Sequence, residues 1–140
     1  MLESELKEIN IIFGNIKAKP KPFLIFDKRI IDFLNEIYLE IKKNKKSIKF
    51  PDLATFGFWC RKANIKKQSS YYNENLLTIG RGKVLHITPS NVPMNFAYSM
   101  AFGLLSGNVN LVRLPSKNFE QTNILCKIMK KISKDKNYKF

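Results

Sequence analysis

Between residues 27 and 43, apolar side chains fall at Ile30, Ile31, Leu34, Ile37, Tyr38 and Ile41. That three- and four-residue spacing marks one face of a helix. Asp27 stands just ahead and can cap it, and the run Lys42-Lys43-Asn44-Lys45-Lys46 suits its C-terminal dipole. A second helix is expected over "FPDLATFGFWCRKANI", residues 50 to 65. Pro51 and Asp52 are good first-turn residues there, and Leu53, Phe56 and Cys60 form a stripe that should pack on the first helix. Residues 67 to 82 read as a polar connector with room for a short strand from Leu76 to Ile79. Residues 1 to 26 carry mixed signals. "ELKEINIIF" suits helix or strand, while "KAKPKPF" is interrupted by Pro20 and Pro22.

From residue 83 the periodicity changes. "KVLHIT" is short, β-rich and fenced by Gly82 and Pro89, as a strand should be. "MNFAYSMAFGLLS" puts Met94, Ala97, Tyr98, Ala101 and Leu105 on one helical face. Ala97, Ala101 and Gly103 would let that helix approach a sheet closely, and Gly107 suits a left-handed stop. "VNLVRL" is a second strand. After Pro115-Ser116-Lys117 comes a helix whose stripe is Ile124, Leu125, Ile128, Met129 and Ile132. Strand, helix, strand, helix at these lengths predicts a βαβ unit with parallel strands and a right-handed crossover. Tyr138-Lys139-Phe140 resembles the start of a further strand. The fold class is therefore α/β: a partial, Rossmann-like parallel sheet preceded by helices. Residues 1–82 are expected to form a helical segment packing on an incomplete nucleotide-binding domain of residues 83–140. Two parallel strands make a poor sheet alone, so the unit reads as part of a larger domain.

Composition narrows the classes. With 140 residues, 44% of them hydrophobic and eleven Phe, the chain can bury the core of one domain. No apolar run approaches the roughly 20 residues of a membrane span. The N-terminus, Met-Leu-Glu-Ser-Glu-Leu, lacks the order of a signal peptide, so a cytoplasmic protein is expected. Two cysteines, Cys60 and Cys126, make neither a disulfide framework nor a zinc site. The formal charge of +14 invites a nucleic-acid reading, yet only Arg29, Arg61, Arg81 and Arg113 are arginines. The lysines are spread along the chain beside abundant Asn and Ile, which reflects coding bias more simply than a binding stripe. No helix-turn-helix, zinc-finger or RNA-recognition signature accompanies them. A basic nucleic-acid-binding module stays as an alternative of another class, and nucleic acid is not an expected partner.

One stretch carries chemistry. In "HITPSNVPMNFAYSMAFGLLSGNVNLVRLPSK", residues 86 to 117, Asn91 sits between Pro89 and Pro93 just before a helix of small residues. Taken alone, an Asn there caps the helix or shapes the turn. The order of strand, Pro-x-Asn-x-Pro turn, small-residue helix, Gly-Asn, strand and Pro-Ser resembles the aldehyde dehydrogenase superfamily. "HITPSNVP", "NLVRLPS" and the upstream "FPDLATFGFWCRKANI" are more similar to the LuxC-type acyl-CoA reductases within it. The resemblance spans residues 50 to 125.

That resemblance implies a function. The parent enzyme would reduce a fatty-acyl-CoA or other acyl thioester to an aldehyde with NADPH, through a cysteine thioester. Asn91 would be the oxyanion donor. A preorganised amide facing the charge that develops on the acyl oxygen is worth about 3 kcal/mol. Thr88, Pro89 and Ser90, with Arg113, Ser116 and Lys117, would line the cofactor. In the family a Lys and a Glu contact the adenosine ribose; here Leu114 and Lys117 take those positions, beside Arg113. Cations in place of a carboxylate favour a 2′-phosphate, hence NADP(H), although Lys117 also reads simply as a surface lysine. His86, the single histidine, reads as a packed imidazole. Cys60 and Cys126 read as small buried hydrophobes, so the nucleophile would belong to a domain this chain lacks, and the chain alone would be inactive. An NAD(P)-dependent aldehyde dehydrogenase is the alternative enzyme. The partners implied are acyl-CoA and either a larger reductase assembly or a homo-oligomer, with no metal site.

Overall fold

The structure is a computed structural model that describes residues 9–17, 19, 21–72, 75–135 and 138. Its first helix, α1 (Lys28–Lys43), begins at the expected cap. The Asp27 carboxylate accepts the Arg29 backbone N–H at 2.8 Å and the guanidinium at 3.0 and 2.8 Å. This grip holds the Asp27 carboxyl below its ordinary value despite partial burial. Ile30, Ile31, Phe33, Leu34, Ile37 and Ile41 make the buried stripe. Asn44 ends α1 and opens a 3-10 turn (Lys45–Lys49). Its N–H donates to the Glu40 and Ile41 carbonyls, and its side-chain oxygen accepts the Lys46 N–H at 3.0 Å.

The second expected helix is two. α2 (Pro51–Trp59) stops at Cys60, and α3 (Lys62–Ser69) starts after Arg61, whose φ of −56° and ψ of 134° are extended. The physical reason lies on α1. Asn35 accepts the Lys62 N–H at 3.0 Å and Asp32 takes the Lys62 ammonium at 2.6 Å, so α1 satisfies the backbone that a break exposes. α3 also claims the first residues of the expected connector. Farther along, Leu76–Ile79 forms no strand. Ile79 makes one antiparallel bridge with Leu24, and Leu76 and Leu77 lie exposed with nothing apolar to cover them. Residues 9–13 adopt neither helix nor strand; residues 1–8, 18 and 20 lie outside the described residues.

The βαβα unit forms as expected. β1 (Lys83–Ile87) pairs in parallel with β2 (Val109–Arg113), with Lys83 opposite Val109 and Ile87 opposite Arg113. α4 (Asn95–Leu105) connects them and α5 (Glu120–Ile132) follows. Gly103 explains how close α4 lies to the strands: a Cβ there would fall 2.0 Å from the Asn110 side-chain oxygen and 2.8 Å from His86 Nε2. Gly107, at φ 77°, makes the left-handed turn out of α4. Burial on α4 is wider than the predicted face, because Phe96 and Met100 are also enclosed. The stripe of α5 is buried throughout. At the C-terminal end, Tyr138 is not in a strand. Its N–H donates to the Asp135 carbonyl at 3.0 Å in a turn, and its ring meets Phe33 edge-on at 5.8 Å. Lys139 and Phe140 lie outside the described residues.

One apolar cluster joins α1, α2, α4 and α5, with Leu34, Phe56, Ala97 and Leu125 at its centre. Aromatic edges tie α2 to α4: Phe56 to Tyr98 at 5.0 Å, Trp59 to Tyr98 at 5.7 Å and Trp59 to Phe102 at 5.1 Å. The opposite face of the sheet is open, leaving Leu85 57% and Ile87 66% exposed. Among the described residues, no helix is long and apolar enough to cross a membrane.

Candidate functional site

Because Ile87 pairs with Arg113, the turn of residues 88–94 and the loop of residues 114–119 leave the sheet from the same, carboxyl edge. That edge is where open parallel sheets present backbone and side chains to ligands. The turn is held from below. Pro93 O accepts the Thr122 hydroxyl of α5 at 3.0 Å, and Met94 is buried in the core. Gln121 of α5 donates to Asp52 of α2 at 3.1 Å, so the same corner is braced by both helices.

The sequence-predicted residues divide by exposure. Thr88 is half-buried, and its hydroxyl oxygen is enclosed with no hydrogen-bond partner. Pro89, Ser90 and Asn91 are exposed on the turn. Asn91 does not cap α4: the cap position is Met94, without a side-chain hydrogen bond. Its amide makes no hydrogen bond among the described residues, so both N–H donors are free. On the second loop Arg113, Ser116 and Lys117 are exposed, and the Lys117 ammonium stands 5.5 Å from the centre of the Phe119 ring. Neither Arg113 nor Lys117 is paired with a carboxylate among the described residues. Topology thus brings both groups to one edge. The described cavities lie elsewhere in the fold.

A sequence model of the family described as acyl-CoA reductase (LuxC) matches residues 61–139, more than half of the chain. The chain belongs to the LuxC acyl-CoA reductase family. No curated protein and no solved structure matches it. The family match starts at the α2–α3 break and takes in both strands, α4 and α5, so it includes every residue of the carboxyl edge.

For a LuxC-family chain the state of its thiols matters. Cys60 is fully buried, and desolvation pushes its thiol far above the ordinary range. Cys126 is nearly as enclosed and is pushed up to about 11 by the same cause. Neither is a thiolate near neutral pH. His86 is also committed elsewhere. Its Nε2 meets the Asn110 side-chain oxygen at 2.6 Å and its Nδ1 meets the Ser99 hydroxyl at 2.8 Å. Asn110 spends its own N–H on the Asn108 carbonyl at 2.8 Å, so its oxygen must accept and Nε2 carries the proton. Ser99 then donates to Nδ1. This triplet locks α4 onto both strands just below Thr88. The sequence reading missed Ser99 and Asn110; a polar residue in mid-strand beside a helical glycine was the available signal. Among the described residues, no cluster of three or more His, Cys, Asp or Glu is placed to hold a metal ion.

Proposed function

We propose that this chain contributes the oxyanion donor and the adenosine side of the cofactor site to an enzyme that reduces a fatty-acyl-CoA thioester to an aldehyde with NADPH. The observation that carries this reading is the unbonded Asn91 amide on the carboxyl edge of a LuxC-family parallel pair. Attack of a thiolate on the acyl carbon places negative charge on the acyl oxygen. The Asn91 N–H donors, held between Pro89 and Pro93, would meet that charge without having to break an existing bond. Burial of Cys60 and Cys126, which pushes both thiols up, supports a thiolate supplied by a residue outside these 140.

The residues present fit a phosphorylated dinucleotide. The enclosed, partnerless Thr88 hydroxyl has a hydrogen bond to give at the end of β1, and Arg113 and Lys117 offer charge unpaired with any carboxylate among the described residues. Thr88, Pro89 and Ser90 would line the group, with Arg113, Ser116 and Lys117 on its adenosine end. Cations there attract a 2′-phosphate, where a carboxylate would repel it. Bound there, NADPH supplies the hydride. The test is a pair of assays on a reductase containing this segment: straight-chain acyl-CoA with NADPH or NADH, and aldehyde with NADP. Thioester reduction that prefers NADPH is expected. Aldehyde oxidation without thioester reduction would overturn the reading in favour of an aldehyde dehydrogenase.

A further inference from the structure

A cavity of about 320 Å³ lies between α1 (Tyr38, Ile41), the 3-10 turn (Ser47, Ile48) and α2 (Ala54, Phe58). Two observations mark it out. Ile48 is 82% exposed and Phe58 55% exposed, so its walls present apolar surface to solvent. Ile41 and Ser47, only 4% and 3% exposed, form its floor, so the surface is recessed there.

The rim is basic. Lys42 lines the cavity, and Lys45, Lys46 and Lys49 flank Ser47 and Ile48 on the 3-10 turn. None of the four pairs with a carboxylate among the described residues. Glu40, near the end of α1, is already taken by Lys131 at 2.6 Å and Lys43 at 3.5 Å. The Lys131 contact also brings α5, with exposed Lys127 and Lys130, against the end of α1. As a linear run Lys42, Lys45 and Lys46 read as a solvated helix end; folded, Lys42 lines an apolar cavity and Lys45, Lys46 and Lys49 lie on the turn that walls it.

We infer that this face docks an acidic, amphipathic helix of a protein partner, with one apolar side chain entering the cavity and carboxylates facing the lysines. Charge complementarity sets the sign, since these four lysines have no carboxylate partner among the described residues. The concavity sets the class. A bilayer would take the projecting Ile48 but leave the hollow above the recessed Ile41 unfilled. A nucleic acid would meet the lysines through its phosphates but leave the apolar walls uncovered, and the Arg61 guanidinium already lies 4.9 Å from the Phe58 ring centre and 5.9 Å from that of Tyr38. A helix laid in a groove, with one side chain inserted, satisfies both features.

The probe is a fluorescein-labelled helical peptide with Glu on one face and Leu at four-residue spacing on the other, titrated by anisotropy at physiological salt. Binding is expected, and replacing its Leu residues by Ser at constant charge should weaken it about tenfold. On the protein, Ile48→Asp alone and Lys45→Glu/Lys46→Glu/Lys49→Glu together should each weaken it about tenfold. Lys66→Glu/Lys67→Glu on α3 should leave it unchanged. All these side chains are exposed, so circular dichroism should show an unaltered fold. Absence of binding, indifference to Ile48 and to the peptide's Leu, or equal loss from the α3 pair would overturn the proposal. So would tighter binding, with the same variant sensitivity, to vesicles of equal phosphatidylcholine and phosphatidylglycerol or to a single-stranded oligonucleotide. Those outcomes would reassign the face to a membrane or to nucleic acid.

Discussion

At Asn91 the chain leaves β1 through a turn braced by prolines at 89 and 93, and the side chain spends nothing on the fold. Asn91→Ala should therefore leave the melting temperature unchanged while slowing acyl transfer about a hundredfold in the complete reductase. Equal loss of stability and activity would make Asn91 a turn residue after all. Gly103 is the opposite case, a position used wholly for packing. Ala in place of Gly within a helix normally gains about 1 kcal/mol. Here the new methyl would land on Asn110 and His86, side chains whose mutual hydrogen bond leaves them no room to swing. Gly103→Ala should destabilise by about 1–3 kcal/mol, and urea unfolding measures the sign directly. The Asn91 frame was legible because two prolines and a helix start are local signals. The His86 partners were not, since Ser99 and Asn110 lie on different elements and only parallel register brings them together.

α1 shows what periodicity can and cannot deliver. Its apolar spacing and its Asp27 cap were readable because both depend on neighbours within a turn or two. The break that divides α2 from α3 was not, because its cause is Asn35 and Asp32 on a different helix. The carboxylates of α1 and its cap make it sensitive to acid. Asp27 is held low by Arg29, Asp32 by Lys28 and then Lys62, and Glu40 by Lys131 with Lys43. A depressed folded value means stability that is fully present above the ordinary values of 3.8 and 4.5. It is lost as the pH falls through the lowered folded values. These groups are partly solvated, so each contribution is modest. The urea midpoint should fall between pH 6 and pH 3, and Asp27→Asn should shrink that fall while keeping the cap. An unchanged slope in the variant would remove Asp27 from the account.

Across the whole molecule, the apolar cluster lies between the helices and one face of a two-stranded sheet, and the other face is left open. Leu85 and Ile87 project there because β1 alternates and only its Val84–His86 side meets α4. Leu85→Thr/Ile87→Thr should leave thermal stability nearly unchanged and reduce binding of a hydrophobic dye, since these side chains bury little. Chemistry is distributed in the same lopsided way. Asn91, Arg113 and Lys117 stand in the open at the carboxyl edge, while both thiols sit in the core. With desolvation holding Cys126 at about 11 and Cys60 higher still, neither should react with a disulfide reagent at pH 8 until denaturant is added. By the same physics, residues 1–140 alone should show no turnover of acyl-CoA with NADPH. Both measurements belong in one experiment: fast thiol labelling of the native chain together with thioester reduction would return Cys60 or Cys126 to the role of nucleophile. Slow labelling with no reduction would leave Asn91 as a donor waiting on a thiolate from elsewhere.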